Sequence, residues 1–197
     1  MNQLSNTLSS YCAGIFKVIG QPNRIEIINT LRNGEQSVSD ILGALNLEQS
    51  NTSRHLSVMN SCGLLVSRRE GHRTLYALKH KESILAVIDS AQRASDMKQH
   101  FTETLQILGQ MTRMKIVETL RDGEIPRGEL VSKVGGEQSN TAHHLALMVE
   151  AGIVGNRMEP GRRSLYRLIN QDYVLTLVDS AINVMAQETI NRTMLLH

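Results

Sequence analysis

Tryptophan is absent from this chain of 197 residues, and aromatic residues make up only 3% of it. So few rings exclude a platform on which successive single-stranded bases stack. The two cysteines, Cys12 and Cys62, stand far apart. That excludes a disulfide framework and fits a reducing compartment. No hydrophobic run approaches the ~18 residues of a membrane span. The polar start from Met1 to Ser10 has no basic segment followed by an apolar one. We therefore expect a cytoplasmic protein without a membrane partner. A Gly-rich phosphate loop, a nucleophile elbow and an HExxH pair are all missing, so no enzyme and no cofactor are expected. Charge of one sign is lacking too: the net charge is +2, and an anionic partner must be drawn by local clusters.

What is present is a repeat. The run Glu48-Gln49-Ser50-Asn51-Thr52 returns as Glu137-Gln138-Ser139-Asn140-Thr141. Sliding the sequence by 89 positions also brings Gly20-Gln21 onto Gly109-Gln110, Arg24 onto Arg113, Gly34-Glu35 onto Gly123-Glu124 and Gly63 onto Gly152. Roughly two positions in five are identical there, and after one inserted residue near Pro160 the match resumes at Leu165-Tyr166. A period this long, seen twice, indicates a duplicated domain rather than a solenoid. The expected division is 1–94 and 95–197, with a helical or very short junction near Ala94-Ser95-Asp96, since no Gly or Pro lies between Gly71 and Gly109.

Within each module the pattern predicts an initial helix (8–19 and 96–108) and a second (23–31 and 112–120). Asn33-Gly34 or Asp122-Gly123 stops the second helix, with Gly suited to a left-handed cap. Ser37-Val38-Ser39-Asp40 has the spacing of a capping box and opens a short helix through Leu45; Pro126 stands near the start of its counterpart. The repeated run then begins another helix, for which Ser50/Ser139 or Asn51/Asn140 is the expected N-cap. Thr52, Leu56 and Met59, like Thr141, Leu145 and Met148, share one face of it. Two short helices joined by a tight turn form a helix-turn-helix. Past Gly63 and Gly152 the period becomes that of strands: 64–70 and 73–78 around Gly71-His72, then 153–159 and 162–168 around Pro160-Gly161, each a hairpin. A closing amphipathic helix covers 82–93 or 173–194. The fold class is mainly α with small β-hairpin wings: two tandem winged helix-turn-helix domains related by pseudo-two-fold symmetry.

The order of elements, the run Ser53-Arg54-His55-Leu56 before Gly63-Leu64-Leu65, and wings ending in Tyr-x-Leu resemble the ArsR family of bacterial winged-helix repressors, once per repeat. The resemblance implies recognition of double-stranded DNA by a pseudo-dimer on one imperfect palindrome, with recognition helices about 34 Å apart, one DNA turn. It also implies packing through the first and last helices, the surface through which a homodimer would form. Departures from the family are equally informative. The first helix of the helix-turn-helix lacks the metal-sensing cysteine pair. On the last helix Asp89 is followed by Ala91, and Asp179 has Asn183 with no His before His197. His100 with Glu103 makes no tetrahedral site. No metal is expected.

Gln49, Asn51 and Ser53, with Gln138 and Asn140, are the expected base readers, because Gln and Asn bond adenine bidentately; capping and solvation is the other reading of the same residues. Ser50 and Ser139 lie beside them. Arg54 and its counterpart His143 suit phosphate, while His55 and His144 either contact DNA or orient the helix. Arg68, Arg69, His72 and Arg73 on one wing, and Arg157, Arg162 and Arg163 on the other, lie where phosphates or a minor groove would be met. Cys12 and Cys62 align with Phe101 and Ala151, so both are expected to be buried, with a thiol switch as the alternative. A tandem winged-helix scaffold for protein partners, without specific DNA binding, is the other function that the pattern allows.

Overall fold

The computed structural model describes residues 3–93, 101–159 and 163–194. The first module comprises α1 (Gln3–Ile19), α2 (Pro22–Thr30), a 3-10 turn (Leu31–Asn33), β1 (Gln36–Ser37), α3 (Val38–Leu45), α4 (Gln49–Ser61), β2 (Leu65–Glu70), β3 (Arg73–Leu78) and α5 (Lys81–Arg93). The second repeats it as α6 (Phe101–Leu108), α7 (Met111–Thr119), β4 (Ile125–Pro126), α8 (Arg127–Val134), α9 (Gln138–Glu150), β5 (Val154–Glu159), β6 (Arg163–Leu168) and α10 (Gln171–Met194). The expected junction at 94–96 and the turn at Pro160-Gly161 lie outside the described residues.

The helix-turn-helix forms for the reasons its sequence suggests. Asp40 N–H donates to Ser37 Oγ at 3.2 Å, and Ser37 N–H donates to Asp40 Oδ2 at 3.0 Å, closing the capping box that starts α3. Pro126 takes the same place before α8 without a side-chain cap. Thr52, Leu56 and Met59 are wholly buried, as are Thr141, Leu145 and Met148 to within 2%, so α4 and α9 seat their apolar backs on the core. Two local expectations change. The N-caps are Glu48 and Glu137, two residues before Ser50 and Ser139, so those serines belong to the first helical turn. Gly34, which ends the 3-10 turn, and Gly123, in the turn after α7, stand at φ 143° and 134° rather than in the left-handed helical region. Only glycine is at ease at such angles.

Each wing is the outer pair of a three-stranded antiparallel sheet, in the order β1-β3-β2 or β4-β6-β5. The inner strand is only two residues long, with Gln36 opposite Tyr76 and Ser37 opposite Leu75. It ties the root of the wing to the start of the helix-turn-helix. Ile125 and Pro126 repeat the pairing against Tyr166 and Leu165.

The modules pack through α1 against α6 and α7, and through α5 against α10. The contact is reciprocal at its closest point. A Cβ on Gly20 would lie 3.1 Å from Gln106 N, and one on Gly109 would lie 3.0 Å from Lys17 Cα. Lys17 and Gln106 are equivalent positions of the repeat, as are Gly20 and Gly109. Such an i-to-j and j-to-i exchange is the mark of a two-fold interface, here inside one chain. Buried Phe16, Ile19, Leu105 and Leu108 join the two modules in a single hydrophobic core. Across the α5–α10 contact, Ser83 Oγ donates to Gln187 Oε1 at 3.2 Å.

Candidate nucleic-acid interface

The side of α4 opposite its buried face exposes Gln49, Ser50, Asn51, Ser53 and Arg54; α9 exposes Gln138, Ser139, Asn140 and His143. These are amide, hydroxyl and imidazole groups with one fixed charge, Arg54, on the first helix only. Asn51 Nδ2 makes a marginal 3.5 Å contact with Glu48 Oε2.

His55 and His144 are half-buried and held by arginines of the preceding helices. Arg24 Nη1 donates to Val18 O at 2.9 Å, and Arg24 Nε donates to His55 Nδ1 at 3.3 Å. Arg113 does the same to Ile107 O at 3.0 Å and to His144 Nδ1 at 3.3 Å. An imidazole that accepts at Nδ1 carries its proton on Nε2, the nitrogen left for another acceptor. Burial, then the cationic Arg24 and Arg54, hold His55 below the usual imidazole pKa; burial, Arg113 and His143 do so for His144. Both rings are therefore oriented neutral donors. Arg24 and Arg113, which hold these rings, are residues that a search for exposed DNA-contacting groups misses. Their signal was the recurrence of an Arg–His separation of 31 residues in both copies.

The wings divide their arginines between two tasks. Arg68 grips Glu35 through Nε and Nη2, the latter at 2.7 Å, and meets Glu70 at 3.0 Å. Arg157 grips Glu124 at 2.7 Å. Glu35 and Glu124, drawn by these guanidiniums, sit below the usual carboxylate range. These two arginines are struts between the wing and the Gly34 or Gly123 turn. Arg69, His72 and Arg73 lie exposed at the end of the first hairpin, and Arg163 at the end of the second. Arg162 lies outside the described residues. The position of Arg69 is taken in the second wing by Met158, which is 63% exposed and accepts a 3.2 Å hydrogen bond from Ser164 Oγ at its sulfur.

Asp89 and Asp179, on the last helices, are engaged by arginine. Arg32 forms a two-pronged bond to Asp89 at 2.6 and 3.1 Å, and Arg121 binds Asp179 at 2.8 Å. Among the described residues no group of three or more His, Cys, Asp or Glu could hold a metal. The cysteine expectation holds for only one thiol. Cys12 is buried, and burial, with Glu118 and Asp179 nearby, pushes it up to about 12. Cys62 is exposed, because it is the C-cap of α4, an outward-facing position that Ala151 also occupies on α9.

Fold and paired helices together define a tandem winged helix-turn-helix protein. A family model described as bacterial regulatory protein, arsR family, matches residues 21–67, and one described as helix-turn-helix domain matches 108–154. Each match runs from the start of the second helix into the wing. The HTH-type transcriptional regulator NmtR of Mycobacterium tuberculosis is 31% identical over 88 residues, 45% of this chain and 72% of that protein. The HTH-type transcriptional repressor SmtB of the same species is 27% identical over 82 residues, 42% of this chain and 61% of that repressor. A solved homodimeric winged helix-turn-helix DNA-binding domain from Mycobacterium bovis, of a possible ArsR-family regulator, is 25% identical. It covers 51% of this chain and 92% of that domain, with a TM-score of 0.45. The chain belongs to the arsR family of bacterial regulatory proteins and carries its helix-turn-helix module twice. Among the described residues no helix is long and apolar enough to cross a membrane.

Proposed function

We propose that this protein is a cytoplasmic repressor that binds double-stranded DNA sequence-specifically. In this reading α4 and α9 each enter the major groove of one half-site of an imperfect palindrome, carried by domains 1–94 and 95–197. The observation that carries it is the paired, reciprocally packed presentation of the same Gln-Ser-Asn face by two helices with buried backs. Gln49, Asn51, Gln138 and Asn140 read bases, Gln and Asn being suited to adenine. Arg54, His143 and the Nε2–H of His55 and His144 meet phosphates or base edges. Arg69, His72, Arg73, Arg162 and Arg163 engage the flanking backbone, while Arg68 and Arg157 hold the wings in position. The helix pairs through which two chains would dimerise are already joined within one, so a single chain serves a single palindrome.

Selection of duplexes from a random pool tests this. An enriched imperfect palindrome is expected, and Gln49→Ala or Gln138→Ala should relax preference in one half only, costing about 1–3 kcal/mol on the preferred sequence. A pool without enrichment, together with no salt-sensitive binding in gel shifts, overturns the reading and leaves the protein-scaffold alternative.

A further inference from the structure

A cleft of about 660 Å³ opens between α1, the start of α2 and the last turn of α4, within the roughly 300–1,000 Å³ typical of small-molecule sites. Tyr11, Val18 and Val58 give it apolar walls, and Lys17 and Arg24 give it positive charge. No carboxylate is among its described lining residues. Gly14 forms its mouth: a Cβ there would have nothing within 4 Å. The second module does not repeat this character. At the positions equivalent to Gly14 and Lys17 it carries Glu103 and Gln106, which adds a carboxylate and removes a cation.

We propose that this cleft binds an organic carboxylate with a compact apolar body, and that occupancy is transmitted through Arg24 to the recognition helix α4. The apolar walls take the body, and Lys17 and Arg24 take the head. Arg24 is the link, because the guanidinium that lines the cleft also donates to His55 Nδ1 at 3.3 Å. A carboxylate makes charge-assisted, bidentate bonds with guanidinium, roughly twice as strong as neutral ones, and so competes with that long imidazole contact. Once Arg24 turns to the ligand, His55 loses the donor that orients it. The regulatory half of this proposal rests on DNA reading by α4; the binding half does not.

The test uses the full chain with 1-anilinonaphthalene-8-sulfonate as a fluorescent probe, octanoate as competitor and octanol as its uncharged control. Octanoate should displace the dye at lower concentration than octanol by about fivefold, the scale of an exposed ion pair. Lys17→Glu should abolish that difference, and Gly14→Leu, which fills the mouth while favouring the helix, should exclude dye and competitor alike. Gly14→Leu lies outside the DNA interface and should bind DNA as the parent does. Octanoate should weaken DNA binding of the parent chain and leave that of Gly14→Leu unaltered. Equal displacement by octanoate and octanol, or dye binding unchanged by both substitutions, overturns the site. Preferential displacement by octanoate with unaltered DNA affinity overturns the coupling. Exclusion of dye from the parent, with a two-chain particle in sedimentation, assigns the cleft to a second copy and overturns the ligand site. If no DNA is bound at all, the displacement arms still decide the cleft, so the two failures stay distinct.

Discussion

A single hydrogen bond, Arg24 to His55, orients the imidazole that α4 carries, and Arg113 to His144 does the same on α9. Because Nδ1 accepts, protonating it would set two donors against each other beside a cation. Burial and the adjoining cations accordingly keep both rings below the ordinary value of 6.5. In the unfolded chain these imidazoles take up protons at that ordinary value, ahead of the folded state. The unfolded state then binds more protons, so the stability that neutral His55 and His144 support is complete above pH 6.5 and falls as pH drops through the lowered folded values. Urea midpoints measured from neutral pH down to about pH 5.5 should fall less steeply in a His55→Gln, His144→Gln double variant, since a carboxamide oxygen accepts from arginine without titrating. Parallel curves for parent and variant would remove this pair from the acid response.

At the scale of elements, much was legible in the residues. The capping box of Ser37 and Asp40, the three-residue apolar seam of each recognition helix, and the two hairpins follow from spacing alone, because each depends on neighbours in sequence. What was not legible depends on distant partners. β1 and β4 are two-residue strands defined only by pairing with β3 and β6, and no periodicity exists over two residues. Cys62 was misread because a small residue at the equivalent position suggested packing, whereas both positions cap a helix in solvent. The division of labour among the wing arginines was also hidden, since Glu35 lies 33 residues before Arg68. That division has a measurable consequence. Arg68 is already neutralised by Glu35 and Glu70, so Arg68→Ala should leave the slope of log affinity against log salt close to that of the parent. Arg73→Ala should lower it by about 0.9, one phosphate's worth of released counterions. Equal slopes for the two variants would show that the strut opens on DNA.

For the whole molecule, the decisive feature is that two modules share one core across a reciprocal glycine contact. Two recognition helices on flexible tethers would bind half-sites at any spacing. In the proposed reading, helices fixed by α1 against α6 and by α5 against α10 accept one spacing, set by the protein. Fusion also allows what two identical chains cannot provide: Ser53-Arg54 on one helix and Ala142-His143 on the other make the halves chemically different, so the proposed reading gives the chain a preferred direction on DNA. Gly109 is where this arrangement is most exposed to test, because a Cβ there meets the backbone of Lys17 at 3.0–3.1 Å and not the yielding end of a side chain. Gly109→Val should push α6 from α1 and cost about 1–3 kcal/mol of stability. Its larger effect should appear on DNA: affinity for a two-half-site duplex falls, affinity for an isolated half-site stays near that of the parent, and the penalty for changing the spacer between half-sites shrinks. Gel-shift titrations on duplexes with spacers varied one base pair at a time measure all three. Should Gly109→Val keep the parent's spacer preference, the geometry is set by the α5–α10 contact, and the reciprocal glycines serve packing alone.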